Sequence, residues 1–109
     1  MNNNLRGKVA LVTGGSKGIG FAIAQALAAQ GCALRLVARD LASLKEAQAS
    51  IAQEHGVEVL IRAEDLSVPD RATAVGDAFP ETNILVNCAG AIARGSLMEI
   101  NPDSFRTAF

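Results

Sequence analysis

The stretch Val9-Ala10-Leu11-Val12-Thr13-Gly14-Gly15-Ser16-Lys17-Gly18-Ile19-Gly20 restricts the fold more than any other part of the chain. It begins as a short apolar strand, breaks into a glycine-rich turn and continues as a helix rich in Ala, Ile and Leu. That order builds a phosphate-binding corner. The N–H groups of the turn and first helical turn lack partners within the helix, and the helix dipole favours an anion in front of them. Gly14 is expected to let the chain turn off the strand. Gly18 is expected to clear a path for a pyrophosphate, and Gly20 to let the helix pack closely on the strand.

A chain of 109 residues has room for one small domain with a single core. Half of the residues are apolar, and the aromatic ones are four Phe. Ala, Val, Leu and Ile therefore carry the hydrophobicity, which suits parallel strands covered by helices on both faces. The formal net charge is −1, with acids and bases mixed along the chain. No basic stripe suggests nucleic acid and no polybasic patch suggests a membrane surface. The two cysteines, Cys32 and Cys88, have no metal-ligand or C-x-x-C spacing and read as small buried hydrophobes. Free thiols, a polar N-terminus without a signal-peptide core and no bilayer-length apolar run point to the cytoplasm.

The pattern predicts strands at 8–13, 33–38, 57–62 and 83–87, and helices at 17–30, 41–54 and 69–78. The first helix is expected to bury Ile19, Ile23 and Leu27, and the second Leu41, Leu44 and Ile51. Gly31 and His55-Gly56 close them, with His55 read as a surface residue at a helix end. Asp40 is a good N-cap, and Ser67-Val68-Pro69-Asp70 has the form of a capping box. Asn101-Pro102-Asp103 is expected to start a further helix reaching Phe109. Alternation of strand and helix predicts an α/β Rossmann-type doubly wound parallel sheet, strand order 3-2-1-4, incomplete as a first half. Ligands bind such sheets at the carboxyl ends of the strands, where the strand order reverses.

Thr13-Gly14-Gly15-Ser16-Lys17-Gly18-Ile19-Gly20 resembles the Thr-Gly-x-x-x-Gly-x-Gly turn of the short-chain dehydrogenases/reductases. Asp65 follows strand three, as in that family. Asn87-Cys88-Ala89-Gly90 is similar to its Asn-x-Ala-Gly motif, and Asn101-Pro102-Asp103-Ser104-Phe105 to the start of its next helix. The resemblance covers essentially the whole chain, and it implies a dinucleotide site. Ser16, Lys17, Gly18 and Ile19 would border pyrophosphate and ribose. Asp65 would accept from the adenine amino group, with Leu66 packing beside it. Asn87 would tie the central strands together, and Ala89 and Gly90 would line the nicotinamide-side ribose.

The end of strand two bears on the choice between NAD and NADP. An acid there binds the ribose 2′-OH and repels a 2′-phosphate, whereas an Arg accepts the phosphate. About 24 residues after the first glycine the chain reaches Ala38, which does neither. Arg39 follows, and its planar fork suits a phosphate; Lys17 would add a second positive charge. In the family this pair goes with NADP. Asp40 would serve as a 2′-OH ligand only if the register slipped, and its place before Leu41 fits a helix cap.

The family's enzymes transfer hydride between the nicotinamide and a carbonyl/alcohol pair, using a Ser, a Tyr-x-x-x-Lys pair and an Asn. This chain contains no tyrosine. No residue in it is assigned a catalytic role, and none is expected to bind a metal. Neither His55 nor the loop residue Ser96 offers a substitute, and Arg94 reads as a solvated loop charge. Residues 1–109 are therefore expected to be the N-terminal dinucleotide-binding segment of a single domain, inactive alone. The alternative is a truncated, non-catalytic nucleotide-binding module. The resemblance implies a homo-dimer or homo-tetramer acting on a small-molecule carbonyl or alcohol for the full-length protein, with no nucleic-acid or membrane partner. A segment ending here is also expected to leave an apolar sheet edge on Ile84-Leu85-Val86 and to be of low stability. A P-loop is excluded, because no Gly-Lys-Ser/Thr ends the turn.

Overall fold

The computed structural model describes residues 4–88 and 106–107. Strand β1 (Val9–Thr13) leads to helix α1 (Gly18–Ala29), and β2 (Ala33–Ala38) to α2 (Leu41–His55). Strand β3 (Val59–Ala63) leads to α3 (Pro69–Ala78), followed by β4 (Ile84–Asn87) and the short β5 (Arg106–Thr107). The sheet order is β3-β2-β1-β4-β5, with every neighbouring pair parallel. Order 3-2-1-4 with helices on both faces is the Rossmann-type arrangement expected from the alternation of elements. The reversal falls between β1 and β4, whose register pairs Thr13 with Asn87.

Alternation along each strand divides the core in two. Ala10, Val12, Leu34, Leu36, Val59 and Val86 pack with Ala24, Ala28, Leu44, Ala47 and Ile51 beneath α1 and α2. Leu11, Val37 and Leu85 point the other way and meet Leu66, Ala72, Val75 and Phe79 around α3. The buried face of α1 is one residue out of step with the expected one. Gly20, Ala24 and Ala28 are buried, while Ile23 and Leu27 are only partly covered and Ile19 is 74% exposed. Small residues bring the helix axis close to the sheet, and the larger ones then splay around its flanks. Leu41, expected to face inward, is exposed in the first turn of α2, whose contact with the sheet begins at Leu44.

The predicted capping box does not form. Val68 is the N-cap of α3 and makes no side-chain cap bond, and the Ser67 hydroxyl donates instead to Asp65. Pro69 in the first turn has no N–H, so the helix has one donor fewer to cap. His55 also departs from its expected surface role. It is half-buried, with Nε2 2.9 Å from Gln25 Oε1, and so ties α2 to α1. Gly56, at φ +68, is the C-cap.

The expected terminal helix does not extend over Arg106 and Thr107, which pair as β5 with Ile84 and Leu85. The unpaired backbone groups along the outer edge of β4 are satisfied by a strand there, so part of the expected bare edge is covered. The remainder of that predicted helix, with Arg94 and Ser96, lies outside the described residues. Both cysteines are free, Cys32 fully buried and Cys88 half-buried. Burial pushes the Cys32 thiol up to about 11. Among the described residues no helix is long and apolar enough to cross a membrane.

Candidate cofactor site

The site is built where β1 runs out. The Gly14 N–H donates to Val37 O at 2.7 Å, which fastens the turn to the end of β2. On the other side, the Thr13 hydroxyl donates to Asn87 Oδ1 at 3.0 Å and accepts from the Cys88 N–H at 3.1 Å. The ends of β2, β1 and β4 are thus held together across the reversal of strand order. Asn87 is exposed, whereas Thr13 is fully buried.

The turn glycines have separate jobs. A Cβ on Gly20 would run into Gly14 O and stand 2.7 Å from Gly14 C, so the first turn of α1 packs directly on the glycine turn. Gly18 adopts φ +57, and a Cβ there would meet nothing within 4 Å. The space in front of Gly18 is open, and its backbone conformation is one that L side chains rarely adopt. Lys17 is the N-cap of α1 in extended conformation and makes no side-chain cap bond. Among the described residues no side chain caps the positive end of this helix. Helix α2 differs, because Asp40 caps it: Oδ1 accepts from the Ala42 N–H at 3.1 Å and Oδ2 from the Ser43 hydroxyl at 2.7 Å. The Ser43 bond, followed by the N–H bonds of the helix end, holds the Asp40 carboxyl below its ordinary range.

Two clefts flank this corner. One, of about 260 Å³, is lined by Ser16, Lys17, Phe21, Ser43, Glu46, Ala47 and Ser50. The other, of about 360 Å³, is lined by Arg39, Ala63, Glu64, Asp65, Val68 and Arg71. Lys17 and Arg39 are exposed and, among the described residues, neither is in an ion pair. Asp65 Oδ1 accepts from the Ser67 hydroxyl at 2.6 Å and the Ser67 N–H at 3.0 Å. These bonds, and then the Arg39 charge, lower its pKa and keep it a carboxylate.

Of the residues singled out from the sequence, Gly14, Ser16, Lys17, Gly18, Ile19 and Gly20 form one corner, with Asn87 beside it through Thr13. Arg39 and Asp65 share the second cleft. The Leu66 side chain is 4% exposed and sits in the core around α3, so it is committed to packing there. Ala89 and Gly90 lie outside the described residues. Thr13 stood in the turn motif without an assigned task, and the hydroxyl between two strands was the available signal. Gly15 was also passed over. A Cβ on it would stand 3.0 Å from Leu36 Cδ2 and 3.2 Å from Val12 Cγ1, so it is a packing glycine. Arg71 and Ser43 carried no signal, because only folding brings α3 beside Arg39 and α2 beside Lys17.

A group with a pyrophosphate fits these residues. The uncapped helix end and the open space at Gly18 suit its charge. The comparisons with known proteins agree with this architecture. An uncharacterized oxidoreductase of Bacillus subtilis, YvaG, is 35% identical over 106 residues, which are 96% of this chain and 40% of that protein. L-Sorbose reductase from Gluconobacter frateurii, solved with NADPH and L-sorbose, superposes with a TM-score of 0.77 at 41% identity, over 84% of this chain and 36% of that one. An NAD+-bound xylitol dehydrogenase superposes at 0.75 with 34% identity, over 80% of this chain and 35% of that one. The chain thus spans less than half the length of each of these relatives. The family model described as short chain dehydrogenase matches residues 8–109, so that a glycine corner read first as a place for phosphate is part of that family's fold, and the chain belongs to the short-chain dehydrogenase family.

Proposed function

We propose that this chain is the NADPH-binding segment of an oxidoreductase that moves hydride between the cofactor and a carbonyl/alcohol pair. The observation that carries the choice of NADPH is the charge at the ends of β1 and β2. Lys17 and Arg39 stand exposed without ion pairs among the described residues, while Asp40, the acid next to Arg39, has both carboxylate oxygens engaged in its helix cap. A 2′-phosphate there would find Lys17 and Arg39 exposed and the Asp40 oxygens already held by the helix cap. Solved relatives hold NADPH in one case and NAD+ in another, so the family alone leaves the matter open and the residues of this chain carry it.

In this reading the first turn of α1 and the backbone at Gly18 hold the pyrophosphate, with Ser16 and Ile19 at its border. Asp65 keeps Oδ2 for the adenine amino group while Ser67 takes Oδ1. Asn87 braces the carboxyl end of β4 through Thr13, and the family resemblance assigns Ala89 and Gly90 to the nicotinamide-side ribose. When bound, the cofactor supplies the hydride. With no tyrosine among the 109 residues, these residues bind and orient and do not supply the proton of the family's Tyr-x-x-x-Lys acid.

Titration of the protein with NADPH and NADH tests the cofactor assignment. NADPH is expected to bind tighter by at least about tenfold, and Arg39→Ala to remove most of that margin. Equal binding of both nucleotides, or equal losses on Arg39→Ala, would overturn it.

A further inference from the structure

Asp40 occupies an unusual place, an acid set directly beside a proposed phosphate cation. It follows Arg39 in the chain, and the Lys17 charge also acts on its carboxyl. Its two oxygens are held by different groups, Oδ1 by the Ala42 N–H at 3.1 Å and Oδ2 by the Ser43 hydroxyl at 2.7 Å. Ser43 lines the same cleft as Ser16 and Lys17. The serine therefore stands where it controls which way the second oxygen faces.

We propose that Ser43 is a positioning residue for nucleotide discrimination. Its hydroxyl keeps the Asp40 carboxylate folded into the cap of α2, so that the Asp40 oxygens do not compete with a 2′-phosphate for Lys17 and Arg39. The inference rests on the NADPH assignment above. Without the hydroxyl, Oδ2 loses a charge-assisted hydrogen bond while Oδ1 keeps its backbone donor. The released oxygen is exposed, and Lys17 is a cation already acting on it. Turned toward Lys17, it takes that charge from the phosphate. Turned toward the ribose, it repels a 2′-phosphate and accepts from a 2′-OH. Both movements weaken NADPH relative to NADH.

The test is titration of the wild-type protein, Ser43→Ala, Ser43→Thr and the double variant Asp40→Asn/Ser43→Ala with NADPH and with NADH. The quantity read is the ratio of the two affinities, which does not move when a weakened helix cap merely lowers the folded fraction. Ser43→Ala is expected to lower the NADPH-to-NADH ratio by about tenfold. Ser43→Thr, which keeps the hydroxyl, retains the wild-type ratio. The double variant recovers it, because the neutral amide neither repels the phosphate nor draws Lys17. An unchanged ratio in Ser43→Ala, a change in Ser43→Thr as large as in Ser43→Ala, or no recovery in the double variant would overturn the role of Ser43. A wild-type protein that binds NADH as tightly as NADPH would instead refute the assignment beneath it, so the two failures are distinct.

Discussion

The two ends of the parallel sheet use the same kinds of charged residue in opposite ways. At the amino ends of the strands, Arg35 on β2 is buried and reaches two acids. Nη2 is 2.9 Å from Glu58 Oε1 and Nε is 2.6 Å from Glu81 Oε2. Since β1 lies between β2 and β4, this guanidinium crosses beneath β1 and clamps the approaches to β3 and β4. Asn83 closes the same end, exchanging two hydrogen bonds with Val9 at 2.8 and 2.9 Å. At the carboxyl ends, Lys17 and Arg39 are exposed without such partners among the described residues, and α1 begins without a side-chain cap. A cation whose hydrogen bonds are satisfied by its own chain contributes to stability. One left unsatisfied at a helix mouth is available to a ligand.

The sharpest way to break this division lies within the glycine turn. Gly20→Ala drives a Cβ into the Gly14 backbone and is expected to cost about 3 kcal/mol of unfolding free energy as well as nucleotide binding. Gly18→Ala, with open space around it, should cost only about 1 kcal/mol for its left-handed backbone while still losing the nucleotide. Denaturant melts and NADPH titration of both variants decide the matter. Equal destabilisation would show that Gly18 is a fold glycine and not a cofactor glycine.

Arg35→Ala is the corresponding change at the other end. Its acids are exposed enough to regain water, so the loss should fall below the about 3–5 kcal/mol of a fully buried pair, near 2 kcal/mol. NADPH affinity of the folded fraction should be unchanged. A loss of affinity beyond the loss of folded protein would mean that the two ends are coupled. Lys17→Ala and Arg39→Ala should do the reverse, leaving the melting temperature of the nucleotide-free protein where it is and shifting only the nucleotide-bound melt.

The smallest expected effect is an acid limb. Burial pushes the Glu81 carboxyl up, but the Arg35 guanidinium outweighs it and leaves the pKa lowered. The Ser43 bond lowers Asp40 and the Ser67 bonds lower Asp65. Lowered folded-state values mean that the unfolded chain takes up protons first. Their stabilisation is complete above the ordinary carboxylate range and disappears as pH falls through the folded values. A melting temperature that falls on acidification below about pH 5 is expected, with a shallower slope in Glu81→Gln. A flat profile there would show that these bonds add nothing to folding.

Much of this was legible in the sequence because the informative residues act locally. The apolar runs, Asp40 before Leu41 and the spacing of Gly14, Gly18 and Gly20 each report on a few neighbouring residues. The strand order and the glycine corner follow from them. What escaped is set by packing between distant segments. The inner face of α1 rotated onto Gly20, Ala24 and Ala28 because small side chains permit close approach to the sheet, and no count of apolar residues along one helix measures that. Ser67 fits a capping box as well as an Asx turn, and Asp65 two residues earlier won it. The joining of Arg71 to Arg39 and of Ser43 to Lys17 exists only after α3 and α2 have docked.

The contrast between the two thiols offers a chemical handle on the site. Thiolate, not thiol, reacts with alkylating reagents. Cys32 is fully buried and pushed up to about 11, so it is protonated and shielded at neutral pH. Cys88 is also raised by burial, but it is only half-buried and follows directly on Asn87. A slow maleimide reaction on the native protein should therefore mark Cys88 alone. The fluorophore would sit next to the Thr13–Asn87 link, a built-in reporter for nucleotide arrival that needs no engineered cysteine.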